Sequence, residues 1–317
     1  MNYKMLNRWH KKEKEIFKLL KALGPDGKLE QLGYSTKNKT GFRFPIYLLQ
    51  YGKNTKRAIP ITYLAGVHGI EAIGIQVLFD FIYYIAKSES CQEIQDAVSS
   101  GRLVFYFIPI VNPGGFVEKS RSNPAGIDLM RNSGENGEKA LPFFGGQKLS
   151  KKLPYYRGNS MQLENRILKR FIKERVLTPN NFVPVIDIHS GYGKSNHLWW
   201  PPAGKLKPLD EEQRFQDVAD FIREKQYINQ YAMHRQNLSY RVHGDIWDLL
   251  FEESIKENSG ILPFTLEIGT WHSIRQLWKP RDLFKPPKSI RSFAIRSHRD
   301  LLKKFAEYEL LLRNKVH

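Results

Sequence analysis

Three apolar runs, at positions 59–65, 183–188 and 262–266, restrict what this chain can fold into more than any other feature. Each is rich in Val, Ile, Thr or Phe and is bounded by Gly or Pro, the pattern of a strand covered on both faces. Each also ends at or near a polar residue: His68 and Glu71 follow the first run, His189 the second and Glu267 the third. In open α/β sheets the carboxyl ends of buried strands are where chemistry is placed.

The residue types are those of a zinc site. Catalytic zinc takes three protein ligands from His and carboxylate at about 2.0–2.2 Å and leaves a fourth position for water. His68, Glu71 and His189 supply two imidazoles and one carboxylate. An i, i+3 pair in a tight turn opening a helix can aim both side chains at one ion, and the third ligand can arrive from a distant strand. Zinc lowers the pKa of bound water only to about 7, so a base is also needed; Glu267 is the candidate. A lone His-x-x-Glu is a weak signal. Its weight comes from joint occurrence, in order, with Asn112-Pro113-Gly114-Gly115 and the cluster running from Arg121-Ser122-Asn123 to Asp128-Leu129-Met130-Arg131-Asn132.

With Gly66-Val67-His68-Gly69-Ile70-Glu71, Tyr156-Arg157-Gly158, Asp187-Ile188-His189-Ser190 and Phe264-Thr265-Leu266-Glu267, these segments resemble the zinc carboxypeptidases of the carboxypeptidase A type, and within them the bacterial branch that includes murein peptide amidase. The resemblance covers roughly residues 33 to 270. It implies that His68, Glu71 and His189 hold one Zn2+ per chain and that Glu267 is the general base. It further implies that Arg121 steadies the oxyanion and that Arg131 grips the substrate's terminal carboxylate, roles that suit a permanently charged, bidentate guanidinium. Tyr240 matches a mobile tyrosine that covers the substrate, with Tyr227 and Tyr231 as rivals. Asp245, with His243 and Asp248 close by, lies near the position that selects the released residue, where an acid would favour a cationic side chain. One departure stands out: the family usually has Asn before the carboxylate-binding arginine, and this chain has Met130, which cannot donate a hydrogen bond.

Alternating strand and helix patterns imply a three-layer α/β/α sandwich around a mixed, mostly parallel sheet. Helices are expected at 7–23, 72–86, 161–175 (with Asn159 and Gln162 as a capping box) and 297–312, and strands at 59–65, 102–111, 182–189 and 262–267. Residues 41–49 read as an edge strand because Pro45 is tolerated at an edge. At 317 residues, with 41% hydrophobic side chains, the chain suits one large domain over 1–317, with a helical amino-terminal extension at 1–30 and a basic carboxyl-terminal extension at 273–317. Trp199-Trp200-Pro201-Pro202 either walls the cleft or plugs a loop against the core.

Charge is concentrated at the two ends. Residues 1–40 carry ten Lys and Arg against four acids and residues 273–317 twelve against four, so the ends hold +14 of the net +18. A basic periphery can attract polyanions, yet no nucleic-acid-binding signature accompanies it, and nucleic acid is not an expected partner. Cys91 is the only cysteine, which excludes an intrachain disulfide. No run approaches a membrane span and the amino terminus lacks an apolar leader, so the chain as written is expected to be cytoplasmic, or periplasmic or secreted if a signal peptide has been removed. The expected activity is a zinc metallocarboxypeptidase acting on a peptide or cell-wall peptide. The alternatives are a zinc deacylase of N-acyl amino acids, resembling aspartoacylase and succinylglutamate desuccinylase, or a non-catalytic binding module of the same fold.

Overall fold

In the computed structural model, which describes residues 3–179, 181–224, 231–255, 259–270 and 288–314, the three apolar runs become neighbouring strands. β3 (Ile59–Ala65) pairs in parallel with β5 (Phe182–Ser190), and β5 with β8 (Gly260–Ile268). β4 (Leu103–Ile108) lies parallel on the other flank of β3. Every residue of β3, β4 and β8 is buried, as their unalternating composition requires.

β1 (Gly27–Tyr34), β2 (Pro45–Tyr51), β6 (Asn196–Trp200) and β7 (Tyr231–Arg235) complete an eight-stranded sheet in the order β1-β2-β4-β3-β5-β8-β6-β7. The pairings β1–β2, β2–β4 and β6–β8 are antiparallel and the other four are parallel. The helices among the described residues are α1 (Tyr3–Leu23), α2 (Ala72–Lys87), α3 (Gln92–Ser99), α4 (Pro113–Glu118), α5 (Leu163–Phe171), α6 (Glu212–Glu224), α7 (Ile246–Ser254), α8 (Lys288–Arg296) and α9 (Arg299–Asn314).

β5 shows how the layers form. Successive residues point to opposite faces: Ile188 meets α2 on one side, and Asp187 accepts a hydrogen bond from Trp247 of α7 at 2.9 Å on the other. The approach of α2 is close. A Cβ on Gly74 would lie 2.6 Å from the Ile188 carbonyl oxygen, so only glycine lets the first turn of α2 rest on the end of β5. That contact brings Glu71, the residue just before α2, to the strand that carries His189.

Several sequence expectations need correction. The segment expected at 41–49 begins at Pro45 and lies between β1 and β4 rather than at an edge. Pro45 is the first residue of β2, where its missing N–H interrupts no ladder; the edge is β1. The helix expected at 161–175 is α5 followed by a π-helical turn, Ile172–Val176. No capping box forms, because Gln162 precedes α5 without a side-chain cap bond and instead donates to Ser160 O and accepts from Asn123. The strand expected at 102–111 is the shorter β4, and the last helix is preceded by α8. The two basic ends enter the core: Trp9, Ile16, Leu19 and Leu23 of α1 are buried, as are Leu301, Leu302, Phe305 and Ala306 of α9. Residues 1–2, 273–287 and 315–317 of those extensions lie outside the described residues.

Candidate metal centre

After β3 the chain turns through Gly66, whose φ of +67° is a left-handed conformation suited to glycine. It then passes His68 and Gly69 before entering α2. Gly69 presses on the start of α4: a Cβ there would sit 2.0 Å from the carbonyl carbon of Gly115. The Asn112-Pro113-Gly114-Gly115 motif buttresses this loop. Asn112 Nδ2 donates to Val67 O at 3.1 Å, while its Oδ1 accepts from Gly115 N at 2.8 Å and caps α4.

His68, Glu71 and His189 are all buried, and their ligand atoms lie within 4.8 Å of one another, so the group could bind one metal ion. His68 Nδ1 is 2.7 Å from Glu71 Oε1, and His189 Nδ1 is 3.0 Å from Glu71 Oε2. The far nitrogen of each imidazole meets a second carboxylate: His68 Nε2 to Asp128 Oδ1 at 3.0 Å, and His189 Nε2 to Asp187 Oδ2 at 2.8 Å. A carboxylate behind each ring fixes its orientation and leaves Nδ1 facing the centre. Ser190 N also donates to Glu71 Oε2 at 3.0 Å.

The electrostatics follow from burial against charge. Burial pushes the Glu71 carboxyl upward, but the charges of His68 and His189 and their hydrogen bonds outweigh it and hold the group well below the usual carboxylate range. Burial opposes the charge of His189, yet Asp187 and Glu71 raise it well above an ordinary histidine. Asp128, despite its burial, is held far down by Arg121 and His68. For Glu267 the balance runs the other way: burial first, and then the neighbouring Glu71, push it up to about 8 against the opposing pull of His189, Arg121 and the Tyr192 N–H.

The centre opens into a cleft of about 420 Å³, lined by all three candidate ligands and by Arg121, Arg131, Tyr240 and Glu267. The β5–β8 register pairs His189 with Glu267, and Tyr192 N donates to Glu267 Oε1 at 3.0 Å. Arg121 donates from Nε to Asp128 Oδ2 at 2.8 Å, and its guanidinium lies over the Tyr155 ring at 5.2 Å. Arg131 is 3% exposed, and Met130 lines the cleft beside it. The Tyr240 ring lies 5.4 Å from Tyr192 and 5.8 Å from Trp199, with its hydroxyl pushed up to about 12 by burial against the pull of Arg131.

Of the rival tyrosines, Tyr231 hydrogen-bonds His298 Nδ1 at 2.7 Å and does not line the cleft, and Tyr227 lies outside the described residues. Asp245 is absent from the cleft wall. Its Oδ1 accepts from Trp247 N and Asp248 N and so caps α7. Asp248 binds the backbone of Ala203 and Gly204, and His243 accepts from Gly137 N. The tryptophan pair divides: Trp199 lines the cleft, whereas Trp200 stacks on Phe215 in the core.

In the sequence Asp128 and Asp187 stand only as members of motifs, with no role of their own. Asp187 carried a usable signal, since position i−2 of a strand shares the face of His189. Asp128 sits in an irregular loop and carried none.

Residues 16–292 match a family model described as zinc carboxypeptidase. Bovine thrombin-activatable fibrinolysis inhibitor, solved in complex with tick carboxypeptidase inhibitor, superposes with a TM-score of 0.68 at 17% identity, over 95% of this chain and 96% of that one. Carboxypeptidase A from Helicoverpa armigera gives 0.67 at 17% identity, over 93% of this chain and 71% of that one. A metallo-carboxypeptidase from Burkholderia cenocepacia gives 0.60 at 14% identity, over 94% and 69%. At such identities these likenesses speak to the fold. Comparison with curated protein sequences finds no match.

Proposed function

The chain belongs to the zinc carboxypeptidase family, whose members use zinc, and from that premise we propose that it hydrolyses carboxyl-terminal peptide or peptide-like amide bonds. The observation that carries this reading is the pairing of His189 with Glu267 across β5 and β8. It sets a buried carboxyl beside the candidate ligands and on the wall of the same cleft.

The donor set suits the metal. Two imidazole Nδ1 atoms and one carboxylate face a common point, both rings are backed by carboxylates, and the cleft leaves one side open. Zinc held there supplies Lewis acidity towards a substrate carbonyl and acidifies water. The residues do the rest. Glu267, on the cleft wall and paired in register with His189, accepts a proton from the attacking water and returns it to the leaving amine. Arg121, fixed by Asp128 and Tyr155, offers positive charge to the carbonyl oxygen as it becomes an oxyanion. Arg131 receives the terminal carboxylate and Tyr240 covers it. With Met130 beside Arg131 in place of an amide donor, the carboxylate is gripped with one donor group fewer.

Replacing Glu267 with Gln tests the reading. Zinc content, measured by elemental analysis, should stay at one per chain, while turnover of N-blocked dipeptides falls by roughly 10²–10⁴-fold. His68→Ala and His189→Ala should both lose the metal. Substantial turnover by Glu267→Gln refutes the assignment, and preference for N-acyl amino acids over blocked dipeptides would move the substrate class to deacylation.

A further inference from the structure

Behind Arg131 lies a second, smaller cavity of about 70 Å³, whose lining includes Arg131, Lys148 and Arg157 and, among the described residues, no acid. Arg131 is 3% exposed and Arg157 is 6% exposed. Their side chains run together over Gly146, where a Cβ would meet Arg157 Cδ at 3.0 Å and Arg131 Cδ at 3.3 Å. Two like charges removed from water and held together are unfavourable without a compensating anion.

Among the described residues no carboxylate forms an ion pair with either guanidinium. Arg131 Nη1 donates to the Met130 carbonyl at 3.0 Å. Arg157 donates to Asn136 Oδ1 at 3.1 Å from each terminal nitrogen and to the Glu135 carbonyl, all neutral acceptors. The Nε atom of each arginine is buried without a partner. Arg131 acts on two buried acids, Asp245 and Asp128, but neither lines either cavity: Asp245 caps α7 through Oδ1 and leaves Oδ2 without a partner, and Asp128 is held by Arg121 and His68. The site is also built firmly: Asn132 Nδ2 donates to Arg157 O at 2.7 Å and to Ser160 O at 2.9 Å.

We propose that this cavity is a second anion site, taking one compact oxyanion of carboxylate or phosphate type between Arg131 and Arg157, with Lys148 at its mouth. The space corresponds to roughly five waters, enough for such a group and some of its hydration. Two sources share this chemistry. One is a free anion from the medium. The other is a side-chain carboxylate on the residue released from the substrate, because Arg131 lines both the cleft and the cavity. The second source rests on the peptidase reading and the first does not.

Calorimetric titration of the zinc-loaded full chain with acetate and with phosphate, at ionic strength held constant with chloride, tests the site without reference to turnover. A saturable component is expected that Lys148→Gln weakens roughly tenfold, the loss of one charge-assisted contact, and that Arg157→Gln removes. Lys148 is exposed, so its variant decides the matter even if Arg157→Gln does not fold. Absence of any saturable component, or one indifferent to both substitutions, overturns the proposal. The source is then read from peptides ending in Glu or Gln. A KM preference for Glu that disappears in Arg157→Gln assigns the anion to the substrate, and its absence with intact anion binding assigns it to the medium. A protein that binds the anion but cleaves no peptide refutes the peptidase reading and leaves the site standing.

Discussion

Asp187→Asn separates the support of a ligand from the ligand itself. Asp187 is fully buried, and its Oδ2 accepts from His189 Nε2 at 2.8 Å and from Trp247 Nε1 at 2.9 Å. Its Oδ1 is buried without a partner. An asparagine can keep both hydrogen bonds through its carbonyl oxygen and place its NH2 where Oδ1 stood. The shape therefore survives, and the change is the loss of one negative charge behind the imidazole. That charge makes Nδ1 a better donor to a cation, and loss of such a carboxylate behind a metal-binding histidine typically lowers affinity 10–100-fold, about 1.4–2.7 kcal/mol. Zinc affinity by chelator competition should fall by that factor, and the thermal midpoint of the metal-free protein should fall as well, because Asp187 is one of the two acids that favour the charged form of the buried His189. Trp247→Phe retains the charge and loses one anchor of the carboxylate, so its affinity should fall less. Zinc affinity within threefold of wild type in a folded Asp187→Asn protein would refute the idea that His189 binds through Nδ1 with Asp187 behind it.

Gly69→Ala places a methyl group 2.0 Å from the Gly115 backbone, where only main-chain movement can relieve the clash. The expected cost is about 3 kcal/mol together with reduced zinc stoichiometry, and an unchanged thermal midpoint with full zinc content would contradict the close approach. Glu309, 4% exposed on α9, is pushed up to about 8 by burial against the opposing pull of Arg313. Its folded pKa lies above the unfolded value, so the stability it contributes is complete below about pH 4.5 and is lost as pH rises towards 8. Glu309→Gln should be more stable than wild type by roughly 4 kcal/mol near pH 8, with the difference closing near pH 4.5. Parallel stability curves for the two proteins between those pH values would refute the shift.

How much of this was legible in the sequence depends on whether the determining contact is local. The runs that became β3, β5 and β8 were readable because strands buried on both faces have few polar positions to obscure them. Pro45 misled because proline is tolerated both at an edge and at the first residue of an inner strand, and sequence does not distinguish the two. β6, five residues long and adjoining a cis Pro201–Pro202 bond, had too little pattern to be recognised. The register of His189 with Glu267 is a property of two strands far apart in sequence. Arg131 and Arg157 meet only because the intervening loop folds Gly146 beneath them.

Two glycines make the same point for the metal centre. Gly74 lets α2 rest on the Ile188 carbonyl, and Gly69 lets the His68 loop rest on Gly115; between them these contacts set where His68 and Glu71 stand relative to His189. Neither has a left-handed φ, so neither is explained by turn chemistry. A glycine that serves only to let two backbones touch has no local requirement and leaves no pattern. The ligand types could therefore be read from the sequence, whereas the distances between them are fixed by residues that the sequence presents as featureless.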